Sequence, residues 1–480
     1  MSKFTQTDFL RDLHIPSRVG IFALIFAIIF SVAMIGIFSR PLFFIASFWP
    51  ANALLLGLIL RFPQLGGIET WLGAFAGFMV ADLTTDSYFL LAFSLTLANL
   101  LEVLSAVMLF QLFQLSYRKY NQGLTFFYML LIVTVSSALS AIIAIMTIPN
   151  LPNSFIDNQH LLIEFCMSWT AEIQHNVLIL PLVLSFPSWL VIRNFIQRFE
   201  EIEVQWHDFL PLVGVILSTI VAVNFGGPGA LTFPIAALIW AALRYGFFIL
   251  SIINFAVCML LFYSVTLTLP EMSAIDYLHT STSTRIGLFM LAISSMTVCL
   301  ISSNRKYLFE EILFNVQHDS LTQSLSRHYF MQSASQAIDS IQNDATLMII
   351  DIDHFKRIND EFGHQAGDQA LQHFVKSTKT MLRQKDLFGR LGGEEFAILL
   401  LNTDLNAARQ IGARIQDNLK QHPLDIAGNQ NITIKISIGL TKIPQAEAYR
   451  SLDFWISQAD QALYQAKSDG RNQIRVADQT

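Results

Sequence analysis

Two acidic clusters carry the residue types of metal chemistry. Asp351 and Asp353 stand at the end of an apolar run, TLMIIDID (Thr346 to Asp353), and Glu394 and Glu395 follow a glycine pair, Gly392 and Gly393. Carboxylates at the ends of adjacent strands can converge on one hard cation. Oxygen ligands of this kind suit magnesium, which keeps some of its waters and shares substrate phosphates. Gly392 and Gly393 suit a tight hairpin and let a nucleotide approach the backbone. For either cluster alone, a solvated acidic hairpin is the plainer reading.

Other residues agree with the metal reading. The chain after Asp351 is DIDHFKRINDEFGHQAGD, in which Lys356 is a cation suited to phosphate, while Asn359 and Asp368 offer an amide and a carboxylate to a base edge. Lys467 and Arg471 are four apart, on or beside one helix face, placed to meet a polyphosphate.

The elements that must position these groups show in the periodicity. TLMIIDID reads as a buried strand, ALQHFVKSTKTMLR (Ala370 to Arg383) as an amphipathic helix, and EFAILLL (Glu395 to Leu401) as another strand. ITIKISIGLT (Ile432 to Thr441) alternates like a strand with one buried face, and LDFWISQADQALYQAKSDG is a helix ended by Gly470. The order β, α, β, β, α, β, α implies a layered α/β domain of about 160 residues.

The rest of the chain has another composition. Only 14% of the 480 residues are charged, against roughly 25% in soluble proteins. Residues 1–300 hold just 11 of the 30 Lys and Arg and 15 of the 36 Asp and Glu. Ten apolar segments are apparent, near 19–38, 42–60, 68–83, 88–115, 124–148, 161–186, 208–224, 231–243, 247–269 and 286–302. The first has the roughly 20 residues needed to cross a hydrocarbon core and lacks the cleavage site of a signal peptide, so it is expected to be retained. A polytopic membrane protein follows. Ten spans put Arg61, Arg118, Lys119, Arg193, Arg198, Arg244, Arg305 and Lys306 on the side of Lys3, Arg11 and Arg18, which the retention of cations in cytoplasmic loops favours. Eight spans remain if the short third and eighth segments are re-entrant. Either number places both termini in the cytoplasm.

The loops 84–87, 149–160, 225–230 and 270–284 then face outward without Lys or Arg, and Arg40 and Arg285 lie at outer span ends, within reach of headgroups. Polar groups within spans are costly and mark candidate sensor residues: Glu102, Glu164, Glu172 and His175, with Arg244 near a span end. Glu172 and His175, three apart on one helical face, suit a metal site less well than a buried acid–histidine pair. A short polar helix, Asn304 to Gln317, joins the last span to the soluble part. The expected organisation is a cytoplasmic N-terminus (1–18), a transmembrane sensor domain (19–302), a signalling helix (303–317) and a cytoplasmic α/β domain (318–480). The net charge of −6 gives no reason to expect nucleic-acid binding. Cys166, Cys258 and Cys299, all within apolar runs, read as small buried hydrophobes.

From Gln317 to Val476 the chain resembles the GGDEF family of diguanylate cyclases. The resemblance rests on five ordered motifs: DSLTQSLSR, DIDHFKRINDEFGHQAGD, RQKDLFGRLGGEEF, ISIGL and ADQALYQAKSDGRN. GGEEF, Gly392 to Phe396, is an accepted form of the signature. The resemblance implies a fold like the nucleotidyl-cyclase palm. It also implies that Asp351, Glu395 and the Ile352 carbonyl bind magnesium, two ions per site with manganese as a substitute, and that Glu394 adds a ligand or helps deprotonate a ribose 3′-hydroxyl. Asn359 and Asp368 would read guanine, while Lys356, Lys467 and Arg471 hold the triphosphate of GTP beside Gly392 and Gly393. The implied enzyme is a nucleotidyltransferase that condenses two GTP into cyclic di-GMP and two pyrophosphates, with one GTP per domain, so that a homodimer belongs to the mechanism.

Arg383 and Asp386 form the RxxD that precedes the signature by five residues, which the resemblance assigns to product inhibition. A surface ion pair near a helix end is the plainer reading of the two residues alone. Gln323 and His354 depart from the family pattern, where glycine and an aromatic or apolar residue are usual. No domain hydrolysing cyclic di-GMP is expected after Thr480. Residues 19–302 resemble the first family of MASE-type membrane-associated sensor domains, through SFWPANALLLG, ANLLE, WTAEIQHNVLILPLVL and LIWAALRYG, with Glu172 and Asn176 departing from its Asp and Gly. A multi-pass protein of a bacterial inner membrane, in contact with lipid and an unknown signal ligand or protein, is the expected whole. A catalytically silent cyclic di-GMP receptor is the alternative, and a transporter regulated by the cyclase ranks below both.

Overall fold

The computed structural model describes residues 17–39, 48–85, 87–117, 120, 124–151, 160–197, 205–227, 229–266, 274–426 and 430–478. The basic residues Lys3, Arg11, Arg40, Arg118, Lys119 and Arg198 lie outside them. The chain divides into two compact units, Met1–Lys306 and Tyr307–Thr480.

The first unit is helical. Its helices are α1 (Arg18–Phe38), α2 (Ala51–Arg61), α3 (Ile68–Leu83), α4 (Phe89–Leu112), α5 (Thr125–Thr147), α6 (Leu161–Ser185), α7 (Trp189–Gln197), α8 (Leu210–Phe225), α9 (Ile235–Arg244), α10 (Phe247–Thr266) and α11 (Ala274–Gln317). Among the described residues, six helical stretches are long and apolar enough to cross a membrane: α1, α4, α5, Trp206–Phe225, α10 and Ile275–Gln317. Helix α6, although 25 residues long, carries Glu164, Glu172, Gln174, His175 and Asn176 and buries all but Glu172 of these. Its polar side chains face neighbouring helices, as the cost of exposing them to hydrocarbon requires.

Three expectations for this unit are corrected. Residues 274–284 are helical, and the stretch Asn304 to Gln317 continues the same 44-residue helix without a break. Arg285 does not reach outward to headgroups. It is fully buried, its guanidinium lies 4.6 Å from the Phe262 ring centre, and Nη1 donates to Gln174 Oε1 at 3.4 Å. Helix α11 begins a full three turns before Arg285, which places the residue inside the packed bundle. Arg244, by contrast, forms an exposed ion pair with Asp208 and has no part in the buried polar set.

The second unit is an α/β sandwich. After α12 (Arg327–Asp339) come β1 (Ala345–Ile352), α13 (Phe355–Phe362), α14 (His364–Lys379), β2 (Leu387–Gly392), β3 (Glu395–Leu400), α15 (Leu405–Gln421), β4 (Leu424–Ile426), β5 (Gln430–Ile432), β6 (Ile436–Ile443), α16 (Leu452–Ser468) and β7 (Ile474–Val476). The main sheet has the order β2-β3-β1-β6-β7, antiparallel except for β7 on β6. Strand β1 is central and buried throughout. Met348, Ile350 and Ile352 face a core shared with Leu371, Phe374 and Ile415, and Leu347 and Ile349 face one shared with Phe330, Trp455 and Leu463. This alternation between two buried faces explains why the run from Leu347 has no polar side chain until Asp351. The connectivity is the ferredoxin-like βαββαβ arrangement, extended by the β4–β5 hairpin and β7.

The run Ile432 to Thr441 is not one strand. Gln430–Ile432 pairs with β4, and only from Ile436 does the chain join β1, where Ile436 faces Ile352. The crossover at 433–435 buries Ile434 in the core, so the apolar alternation runs unbroken through a change of sheet.

Candidate active site

The central strands bring the two acidic clusters together. Asp351 and Glu395 are register partners across β1 and β3, and the Ile352 amide donates to Glu394 O at 3.3 Å. Lys467, in the last turn of α16, places Nζ 2.7 Å from Asp351 Oδ2. Burial raises the Asp351 carboxyl above its ordinary range; Lys467 opposes this, while Glu394 and Glu395 add to it. Asp460, one helical face back along α16, is raised likewise by burial and then by Glu395. Asp351 thus has Lys467 as its ion-pair partner and further carboxylates near it, an excess of negative charge that fits a divalent cation. Among the described residues, no three acidic, His or Cys side chains already surround a common point.

The Gly392–Gly393 turn joins β2 to β3. Gly393 has φ +49°, a left-handed conformation that glycine adopts without a steric penalty. The turn is held from outside by Arg390, whose Nε and Nη2 donate to Gly393 O at 2.9 and 2.7 Å. The remaining arm of Arg390 reaches Asp319 at 3.0 Å, and Asp319 also accepts from the Thr322 amide and hydroxyl. Burial alone would raise the Asp319 carboxyl, but the hydrogen bonds from Thr322 and Arg390 outweigh it and hold it below the usual range. In the sequence alone Arg390 is only a charge ahead of the glycines.

Asn359, half-buried on α13, and Asp368, exposed on α14, flank Gly363, whose φ of +83° lets the two helices meet. A β-carbon at Gly367 would overlap Asn359 Oδ1, so the Asn359 amide lies against that glycine, next to Asp368. Lys356 is exposed in the first turn of α13, which His354 precedes in a left-handed conformation, φ +57°. Gln323 has the same φ, so both departures from the family pattern occupy left-handed backbone that an L side chain adopts at some cost.

Lys467 and Arg471 do not share a helix face, because α16 ends at Ser468. Gly470, Arg471 and Asn472 all have positive φ, and Arg471 lies in the loop beyond. That loop is pinned by Asp353, which sequence reasoning grouped with the metal ligands. Asp353 is buried and accepts from Ser437 Oγ at 2.7 Å and from the Asn472 amide at 2.9 Å, so its two oxygens are directed away from Glu394 and Glu395. Asp353→Ala should release the strained loop that presents Arg471. We expect KM for a triphosphate substrate to rise about tenfold or more, the loss of one charge-assisted contact, with a smaller change in kcat. Steady-state kinetics with Asp353→Asn alongside check this, since asparagine can still accept the Asn472 amide.

Arg383 and Asp386 form a closed turn: the Arg383 amide donates to Asp386 Oδ2 at 2.9 Å, and the Asp386 amide to Arg383 O at 3.1 Å. The Arg383 side chain is exposed. Asp386 thus shapes the turn that presents the arginine.

Residues 316–473 match the family model described as "Diguanylate cyclase, GGDEF domain". Over nearly its whole length the chain is 27% identical to the "Probable diguanylate cyclase DgcF" of Escherichia coli O157:H7, across 463 residues covering 93% of both chains. It is 37% identical to the "Probable diguanylate cyclase DgcC" of Escherichia coli strain K12 over 163 residues, which cover 33% of this chain and 43% of that one. Among solved structures, the GGDEF domain of DgcB from Caulobacter crescentus in complex with c-di-GMP is 26% identical and covers 34% of this chain and 95% of that one, with a TM-score of 0.32.

Proposed function

We propose that this chain, whose C-terminal unit is a GGDEF domain of the diguanylate cyclase type, is a membrane-bound enzyme that makes cyclic di-GMP under the control of its helical unit. The observation that carries the reading is the pairing of Asp351 with Glu395 beside the Gly392–Gly393 turn, with Lys467 in contact. In the reaction the 3′-oxygen of one GTP attacks the α-phosphorus of another and the bond to the β-phosphate breaks. Repetition in the opposite sense closes the ring and releases the second pyrophosphate.

Asp351, Glu395 and the Ile352 carbonyl would hold magnesium, which when bound polarises the phosphoryl oxygens and acidifies the attacking hydroxyl. Glu394 would add a ligand or take the hydroxyl proton. Asn359 and Asp368 orient guanine, and Lys356, Lys467 and Arg471 neutralise the triphosphate. Lys467 must leave Asp351 for this, and Asp351 would release it on taking up a cation in its place. Each domain holds one GTP, so two copies face each other. Arg383 is presented for product and can pair with phosphate or stack on guanine.

The helical unit we read as a MASE-type sensor domain in a bacterial inner membrane, with Arg61, Arg193, Arg244, Arg305 and Lys306 on the cytoplasmic side and ten crossings in all. The polar helix α6 and the short helices α2, α3 and α9 complete the ten by packing within the bundle.

The test is an assay on full-length protein in nanodiscs with GTP and magnesium, measuring both products. Two pyrophosphates should appear per cyclic di-GMP. A dimeric protein that binds GTP and cyclic di-GMP yet makes no product under any lipid condition would instead be a receptor.

A further inference from the structure

The helical unit contains a polar knot where α2, α4, α5 and α6 meet. Glu102 is buried and accepts from Asn52 Nδ2, Ser137 Oγ and Asn176 Nδ2, each at 2.8 Å. Glu172 Oε2 lies 3.4 Å from the same Asn52 amide, so two carboxyls converge on one donor. Two carboxyls that share an amide away from water avoid meeting as two anions when one of them keeps its proton. Glu102 already accepts three donors as a carboxylate does, so the proton belongs to Glu172.

Beside Glu102 lies a narrow gap between the helices, lined by Asn52, Glu102, Ser136 and Asn176 and by apolar groups such as Leu56 and Val133. It is too narrow to admit a water molecule. Yet two fully buried oxygens on its wall, Asn52 Oδ1 and Ser136 Oγ, have no hydrogen-bond partner. Buried polar atoms without partners are rare and costly, and a group of them around a carboxylate calls for a positive ligand smaller than water.

We propose that this gap binds one Na⁺ ion stripped of its water, held by Glu102, Asn52 Oδ1 and Ser136 Oγ, in exchange for the proton on Glu172. Oxygen donors of this kind suit hard cations. Magnesium gives up its waters reluctantly, calcium takes about six to eight oxygens, and potassium is close to water in size, so a dry site with few ligands selects sodium. The exchange balances: one Na⁺ enters and one H⁺ leaves, so the charge of the knot is unchanged. The other charged or titratable groups nearby are Arg285 from α11, which attracts Glu172, and His175 on α6, whose Nε2 accepts from the Trp49 amide at 3.2 Å. Among the described residues, α2 presents Asn52 to the pair and α5 presents Ser136 and Ser137. Because four helices contribute, occupancy changes how they pack, and sodium becomes an input to the bundle.

The test is thermal unfolding of full-length protein in detergent, titrated with NaCl, KCl or choline chloride at equal ionic strength, at acid and at alkaline pH. Ligands that bind only the folded state raise Tm saturably. Sodium alone should do so, more strongly at alkaline pH, and the rise should vanish in Glu102→Gln. Ser136→Ala loses no hydrogen bond, so its Tm in choline chloride should equal or exceed that of the parent while it needs several-fold more sodium for the same rise. If Glu102→Gln does not fold, Ser136→Ala decides alone. Equal Tm values in sodium and choline at both pH values overturn the proposal. So does a pH dependence without a sodium effect, which would mark a site for the proton only, and so does a sodium response unchanged in Ser136→Ala.

Discussion

Replacing Glu395 with alanine should lower cyclic di-GMP synthesis by on the order of a thousandfold while leaving the fold intact. The magnitude follows from the several kcal/mol that a metal ligand contributes to a phosphoryl-transfer transition state, at about 1.4 kcal/mol per tenfold in rate. Stability should hardly change, because β3 turns inward only at Phe396 and Glu395 is exposed at its start. Removing an exposed side chain here costs within about 0.5 kcal/mol. The metal-free protein gains locally, since Glu395 pushes up the carboxyls of both Asp351 and Asp460 and its loss relaxes both. Pyrophosphate release and product formation, measured with Tm for the same preparations, check the expectation. Retention of more than a tenth of the activity would remove Glu395 from the metal site.

The parts of this domain that could be read ahead of the structure are those fixed by local pattern. The run Leu347 to Ile350 is apolar on both faces, as a strand buried between two layers requires, and its polar end locates Asp351 at the end of the central strand. Gly392 and Gly393 mark the hairpin that sets Glu395 opposite. What local pattern does not contain is the partner of a side chain. Asp351 and Asp353 look alike in sequence, yet one faces Glu395 and the other is consumed by Ser437 and the Asn472 amide, because β1 ends at Ile352 and Asp353 lies in the turn beyond it, outside the strand's alternation. Arg471 is four residues after Lys467, yet the helix ends at Ser468 and leaves Arg471 in the loop beside it. Arg285 looked like a headgroup anchor because apolar content places the last span after it, whereas the helix starts earlier and packs the guanidinium on Phe262. Each difference arises from a tertiary contact that overrides a periodicity.

Asp368→Asn should change which nucleotide the domain accepts. Guanine presents two donors, N1–H and the exocyclic N2–H, to a carboxylate acceptor such as Asp368. An asparagine there can accept from one and must set its own NH₂ against the other, and a site built to hydrogen-bond loses far more from such a mismatch than an apolar pocket loses from a missing group. We expect kcat/KM for GTP to fall by on the order of a hundredfold, about 2.7 kcal/mol. Xanthine carries N1–H beside a C2 carbonyl, which an amide matches donor to acceptor, so xanthosine triphosphate should become the better substrate of the variant and remain the poorer one for the parent. The neighbouring geometry supports a confined effect. Asp368 is exposed on α14, so the substitution disturbs no core contact, and Asn359 stays in place against Gly367. Competition between the two nucleotides in one reaction, with the products separated by mass, measures the switch directly. An equal loss toward both would mean that Asp368 supports the helix pair rather than reading the base.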